Sequence, residues 1–200
     1  MTTERDRQRE RTRERLYEAA LFVFRRDGVQ AAKVDEIATM AGVSRAAFYF
    51  HFPSKDDVLA LRLSRSQATI SQQLSALPKT ASIDQVLRLT ADRIGAEWAE
   101  DPQLLREVGM VAIQLTARDI SEATRQHPVQ LALIPRFQTS VQRGEIEPLI
   151  PAELLTEFFL VNLFGAALTW CATPQMAPLS DVLDAVVTFF MRGARPPPER

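Results

Sequence analysis

Arg45, Tyr49, His51 and Lys55 fall close together in one stretch of the chain. A guanidinium, a phenol, an imidazole and an ammonium are all hydrogen-bond donors. Such a set suits anionic oxygens and the acceptor edges of nucleobases. Arginine fits guanine O6 and N7 bidentately, and lysine meets phosphate as a point charge. Nucleophilic and metal chemistry have far less to draw on. His51 and His127 lie far apart in the sequence, and Cys171, the single cysteine, sits in an apolar segment with no adjacent base. There is no HExxH, CxxC, phosphate loop or nucleophile elbow. No catalytic residue, metal or cofactor is expected.

Charge is distributed in keeping with that stretch. The 200 residues carry 24 Lys and Arg against 25 Asp and Glu, a formal net charge of −1. Residues 1–65 hold 13 basic and 10 acidic side chains, net +3, which leaves 11 basic and 15 acidic, net −4, for 66–200. A local basic surface can bind phosphate on an otherwise acidic chain, although an excess this small decides nothing alone. Hydrophobic residues make up 46% of the chain, enough for a full core without disulfides or metals. One cysteine fits a reducing compartment. The N-terminus is too charged for a signal peptide. The longest apolar stretch, Phe158 to Trp170, is interrupted by Asn162 and Thr169, short of the ~20 apolar residues of a spanning helix. A soluble, cytoplasmic protein is expected.

Helices must position these groups. No run of period-2 alternation between hairpin turns occurs, so the fold class is all-α. A first helix is predicted from about Arg9 to Arg26, with the stripe Leu16, Ala20, Val23 and Phe24 and Gly28 as its cap. Arginines at 5, 7, 9, 11, 13 and 15 open it; a solvated, fraying end and one or two phosphate contacts are both open to them. Two short helices follow, separated at Gly42, with Ser44 as N-cap of the second. After Phe52-Pro53-Ser54, Ser54 caps a helix over 55–75. Pro78 to Ser82 is a linker. Longer helices are predicted after Ile83, after Pro102, over Pro128–Arg143 and Ala152–Ala172, and from a Ser180 cap to Met191. The domains are expected at 1–54 and 55–195, the helix over 55–75 joining them, with 196–200 a disordered tail.

Two short helices across a tight glycine turn form a helix-turn-helix, in which the first braces the second and the second can enter a major groove. Tyr49 could be core or could point outwards; Phe48 and Phe52 suit the core better, which frees Tyr49. His51 could equally be a passive surface histidine. Lys55 opens a helix, where the dipole disfavours a cation, so phosphate would explain it. A solvated lysine would cost little.

The stretch resembles the DNA-binding module of the TetR family of bacterial regulators. The matching residues are Gly28, Val34, Ile37-Ala38, Ala41-Gly42-Val43-Ser44, Tyr49, Phe52 and Lys55. The resemblance implies a three-helix DNA-binding head on a larger helical ligand-binding and dimerisation domain. It implies that Ser44, Arg45, Ala46 and Ala47 lie at the recognition helix, and that Tyr49, His51 and Lys55 meet phosphate. Lys33 stands where members often have a capping Thr or Ser. It cannot cap a helix N-terminus, but it could reach phosphate. Alanines at 46 and 47, where Gly and Thr are frequent, leave Arg45 as the main candidate for base readout.

The resemblance also implies an effector pocket in the larger domain, for which Trp98, Met110, Gln114 and Phe137 are candidates beside their alternative as core. The acidic excess there favours a neutral or cationic effector. The last two long helices are apolar around most of their circumference. A two-fold dimer burying Phe158, Val161, Leu168, Val182, Val186 and Phe190 in a four-helix bundle is expected. The resulting expectation is a ligand-responsive regulator, a repressor released from a pseudo-palindromic operator by a small molecule. A helical ligand-binding or scaffolding protein without sequence-specific DNA binding is the alternative, and an enzyme a third.

Overall fold

The computed structural model describes residues 3–99, 101–118, 127–148, 150–173 and 176–194, without the side chains of 114–118. The predicted tail at 196–200 and the Gln114 side chain lie outside the described residues. Those residues contain helices and no strand.

Helix α1 runs Glu4–Asp27, well ahead of the expected start at Arg9. A capping box explains the difference. The Thr3 hydroxyl accepts from the Asp6 backbone N–H at 3.2 Å, and the Asp6 carboxylate accepts the Thr3 N–H at 3.0 Å. Arg7 and Arg11 both reach Glu4, at 2.9 and 3.0 Å. The arginine-rich segment is therefore helix rather than frayed end. Gly28 closes α1 at φ 81°, a conformation that favours glycine.

Helices α2 (Val34–Met40) and α3 (Arg45–His51) follow, joined by a turn with Gly42 at φ 67°. The Ser44 hydroxyl caps α3, and Ser54 with Asp57 forms a capping box on α4 (Lys55–Ala76). Then come α5 (Ile83–Trp98), α6 (Pro102–Arg118), α7 (Pro128–Gln142), α8 (Ala152–Trp170) and α9 (Leu179–Ala194). Ser180 falls inside α9 rather than capping it.

Helices α1 to α3 pack on one another, and α1 also meets α4 and α6. The larger part is built around α4 against α5, α6 and α7, with α9 on α5 and α8 between α7 and α9. The apolar core is continuous across the expected 54/55 boundary, through Val58 and Leu59. Phe24, Phe48 and Phe52 anchor one end. Phe137 and Phe159, each meeting Phe190 edge-on, anchor the other.

Polar clasps cross the same boundary through Arg65 and Arg25, and Arg62 braces α4 within the larger part. Arg65 on α4 holds Glu14 on α1 with two hydrogen bonds and lies 4.2 Å from the Tyr17 ring centroid. Arg62 pairs with Glu97 and stacks 4.3 Å above Trp98. Arg25 reaches Asp101 at 2.8 Å, and the same carboxylate caps α6 at Leu104 N–H.

Helix α8, 19 residues long, is by length and composition apolar enough to cross a membrane, which the interrupted stretch read from the sequence did not suggest. Here one side of it packs against α6, α7 and α9, and Leu154, Phe158 and Val161 remain exposed.

Candidate functional site

Helix α3 is the centre of the site. Phe48 is fully buried and Phe52 nearly so, which pins one face of the helix to the head's core. Ser44, Arg45, Ala46 and Tyr49 are therefore presented outwards, and Ala47 is half-buried. Tyr49 stands edge-on to Phe48 at 5.5 Å while keeping 43% of its surface exposed. The Arg45 guanidinium pairs with Asp35 on α2 at 2.9 Å and lies 5.7 Å from the Tyr49 ring centroid. It is thus held at the helix start, where base edges would be met, by an exposed ion pair that contributes little stability.

Lys33 is exposed and makes no side-chain cap on α2. His51, half-buried at the end of α3, has its pKa held below the ordinary value by burial and then by Arg9 and Arg13. It is neutral at pH 7 and offers a ring N–H.

Lys55 is differently placed from the free cation read in the sequence. Its ammonium donates to the backbone carbonyls of Val29, Gln30 and Ala32, at 2.5, 3.0 and 3.2 Å. All three of its N–H donors are used. Any phosphate would have to share or displace these bonds.

The effector candidates do not converge. Trp98 is buried beneath Arg62, Phe137 is fully buried in the phenylalanine cluster, and Met110 is 48% exposed. Polar groups meet instead between α4, α7 and α8. The Gln67 amide lies 2.7 Å from His127 Nε2, His127 Nδ1 accepts from the Gln130 N–H, and the Gln130 amide donates to Glu157 at 3.2 Å. Burial holds the His127 pKa below its ordinary value. Sequence reasoning missed this group, because its members lie on three helices and carry no local spacing signal.

Among the expected interface residues, Phe158 and Val161 are more than half exposed. Leu168, Val182, Val186 and Phe190 are half-buried. Phe190 turns inward onto Phe137 and Phe159, and its neighbour Phe189 is the exposed ring, at 71%. Leu154, Phe158 and Val161 recur at helical spacing, so α8 carries an apolar stripe facing outwards.

A family model described as bacterial regulatory proteins, tetR family, matches residues 16–61. The transcriptional regulator SrpR of Pseudomonas putida is 48% identical over 58 residues, covering 29% of this chain and 27% of that protein. The regulator TtgW of the same species is 48% identical over 56 residues, 28% of this chain and 42% of TtgW. The chain thus spans less than half the length of these two curated relatives. The transcriptional repressor SCO4008 of Streptomyces coelicolor is 25% identical over 167 residues, 84% of this chain and 82% of that one. Among solved structures, Thermus thermophilus FadR, described as a TetR family transcriptional repressor in complex with lauroyl-CoA, superposes with a TM-score of 0.76. It is 23% identical, over 94% of this chain and 98% of that one.

Proposed function

We infer that the chain is a regulator of the TetR family, whose model matches residues 16–61, and that it is a dimeric, ligand-responsive DNA-binding repressor. The observation that carries this reading is α3 itself. Its core face is locked by Phe48 and Phe52, and the opposite face presents Arg45, Ala46 and Tyr49 beside Ser44.

In the mechanism, α2 braces α3 while α3 enters the major groove. Arg45 leaves Asp35 for a guanine edge, and Ala46 and Ala47 meet thymine methyl groups. The Tyr49 hydroxyl, Lys33 and the His51 N–H donate to phosphates. Lys55 secures the start of α4 and faces phosphate only by sharing its carbonyl partners. Two heads related by the dimer axis would then read a pseudo-palindrome, and the stripe of Leu154, Phe158 and Val161 with Phe189 would be buried between the two copies.

The effector would act in the larger domain. Gln67, His127, Gln130 and Glu157 supply placed polar groups among apolar helices, the composition of a small-molecule site. The described structure of Thermus FadR holds lauroyl-CoA, and a repressor of Paenarthrobacter nicotinovorans, 34% identical over 90 residues, is described as nicotine-responsive. A small organic effector is the corresponding expectation here. Binding would couple to DNA through α4, which carries Arg62 and Arg65 into the clasps to α5 and α1. Effector and operator would weaken each other by the same factor. The protein acts in the cytoplasm, as a regulator rather than an enzyme, without a cofactor or a membrane.

The test is duplex binding followed by fluorescence anisotropy across a salt series, with Tyr49→Phe beside the unmodified chain. The substitution keeps the edge-on ring packing and removes the hydroxyl. A steep fall in affinity with salt, and a loss of about tenfold or more for Tyr49→Phe, support the reading. No duplex binding by either protein would favour the scaffolding alternative, and equal binding by both would remove the Tyr49 hydroxyl from the interface.

A further inference from the structure

Helix α1 begins at Glu4, ahead of the stretch 16–61 that the family model matches. The leading turns run alongside the end of α3 and form a shallow groove with it. Arg9, Arg13 and His51 line the groove with Asp6 and Glu10, and an adjoining part adds Arg5 and Phe50.

The arginines here fall into two stripes with different partners. Arg7 and Arg11 share the Glu4 carboxylate as ion-pair partner. Arg5, Arg9 and Arg13, four residues apart, share the other face, and none has an ion-pair partner among the described residues. Two of them are held by ring faces instead. The Arg9 guanidinium lies 5.0 Å from the Phe50 ring centroid, and that of Arg13 lies 5.5 Å from Phe52. The acids nearby are largely committed. Glu4 serves Arg7 and Arg11, and the Asp6 carboxylate accepts from both the N–H and the hydroxyl of Thr3. Glu10 is the remaining counter-charge of the groove.

Phe50 adds an independent observation. It is 66% exposed, whereas Phe48 on the same helix and Phe52 just beyond it are buried. The exposed ring packs only edge-on against His51 and leaves a face to the Arg9 guanidinium, which it orients through a cation–π contact. His51, held neutral, leaves an N–H donor at the same place.

We propose that Arg5, Arg9 and Arg13, with Phe50 and His51, form a second phosphate-binding surface, which grips the duplex flanking the half-site and extends the footprint beyond the family-matched module. The proposal rests on α3 being the recognition helix. From Arg5 to Arg13 the helix rises about 12 Å, against about 3.4 Å of duplex axis per phosphate along one strand, so the stripe can meet more than one phosphate. It carries no base readout. Its contribution is affinity and salt dependence, uniform across sequences.

The experiment uses the full-length protein and a duplex it selects from a random pool. One version ends at the outer edges of the half-sites, and a second carries five extra base pairs on each side. Anisotropy titrations across a salt series compare the unmodified protein, the triple variant Arg5→Gln, Arg9→Gln, Arg13→Gln, and the same triple changed to lysine. The expected result is a steeper salt slope for the unmodified protein on the longer duplex, by about 0.9 for each added phosphate contact. The glutamine triple loses that increment and binds both duplexes alike, while its preference for the selected sequence over a scrambled one is unchanged. The lysine triple regains most of the slope. A glutamine triple, folded by circular dichroism, that keeps the full slope and length preference overturns the proposal. So does one that loses sequence preference, since the segment would then be supporting α3. If the unmodified protein itself does not separate selected from scrambled duplex, the recognition-helix reading fails, and the proposal with it.

Discussion

The Lys55 ammonium lies 2.5 Å from the backbone carbonyl oxygen of Val29, and also holds Gln30 and Ala32. One cation thus ties the first residue of α4 to the turn between α1 and α2. These carbonyls lie beyond the C-terminal end of α1, where a positive charge is favourable. Lys55→Met is expected to destabilise the protein by about 1–2 kcal/mol, because part-buried carbonyls lose a charged donor. Urea denaturation measures this. An unchanged midpoint, with weakened DNA binding, would return Lys55 to a simple phosphate contact.

Arg45 and Asp35 make a second prediction. Their ion pair is exposed on both sides, so breaking it hardly affects stability. Asp35→Asn removes a negative charge from the face that meets DNA and releases the guanidinium, so DNA affinity should rise severalfold. Arg45→Ala should cost about 1–3 kcal/mol at one base position of the half-site and little elsewhere. Anisotropy with single-base operator variants resolves the two effects.

The outward stripe on α8 makes the third. Phe158→Asp places a carboxylate where Leu154 and Val161 are its exposed apolar neighbours. Sedimentation velocity should show a dimer for the unmodified chain and a monomer for the variant. Operator affinity should fall with it, because one head alone reads half the site. A variant that remains dimeric would move the interface elsewhere.

His127 gives a pH prediction. Burial lowers its pKa in the folded protein, so between the folded and unfolded values the unfolded chain binds more protons. Its stabilising contribution is complete above the unfolded value of about 6.5 and is lost as pH falls through the folded value. Stability should therefore decline from pH 7 towards pH 5.5, above the range where carboxylates titrate. His127→Gln should flatten that slope in urea titrations. An equal slope in both proteins would assign the proton uptake elsewhere, with His51 the next group to test.

Much of the head could be read from residue types alone. Ser44, Ser54 and Gly42 announce where α3 and α4 start and where the turn falls, because caps and left-handed glycines are local effects. Phe48 and Phe52 at i, i+4 settle which face of α3 is buried, and by the same spacing they place Phe50 outside. The early start of α1 was missed because Thr3 and Asp6, a capping box with Asp at its last position, were outweighed by the density of arginine. Interactions between distant segments were out of reach. Nothing near Lys55 in sequence indicates Val29 as its partner, and nothing near His127 indicates Gln67. Which of the adjacent Phe189 and Phe190 turns inward was likewise out of reach, because it depends on Phe190 packing against Phe137 and Phe159, on helices distant in sequence.

Selection of duplexes from a random DNA pool tests the central claim most directly. The unmodified protein at near-physiological salt should enrich a pseudo-palindrome. Its half-sites should lie about 34–36 Å apart centre to centre, or a helical-turn multiple, as two recognition helices on a two-fold axis require. A folded dimer that enriches no motif, or a motif without two-fold symmetry, would contradict the account.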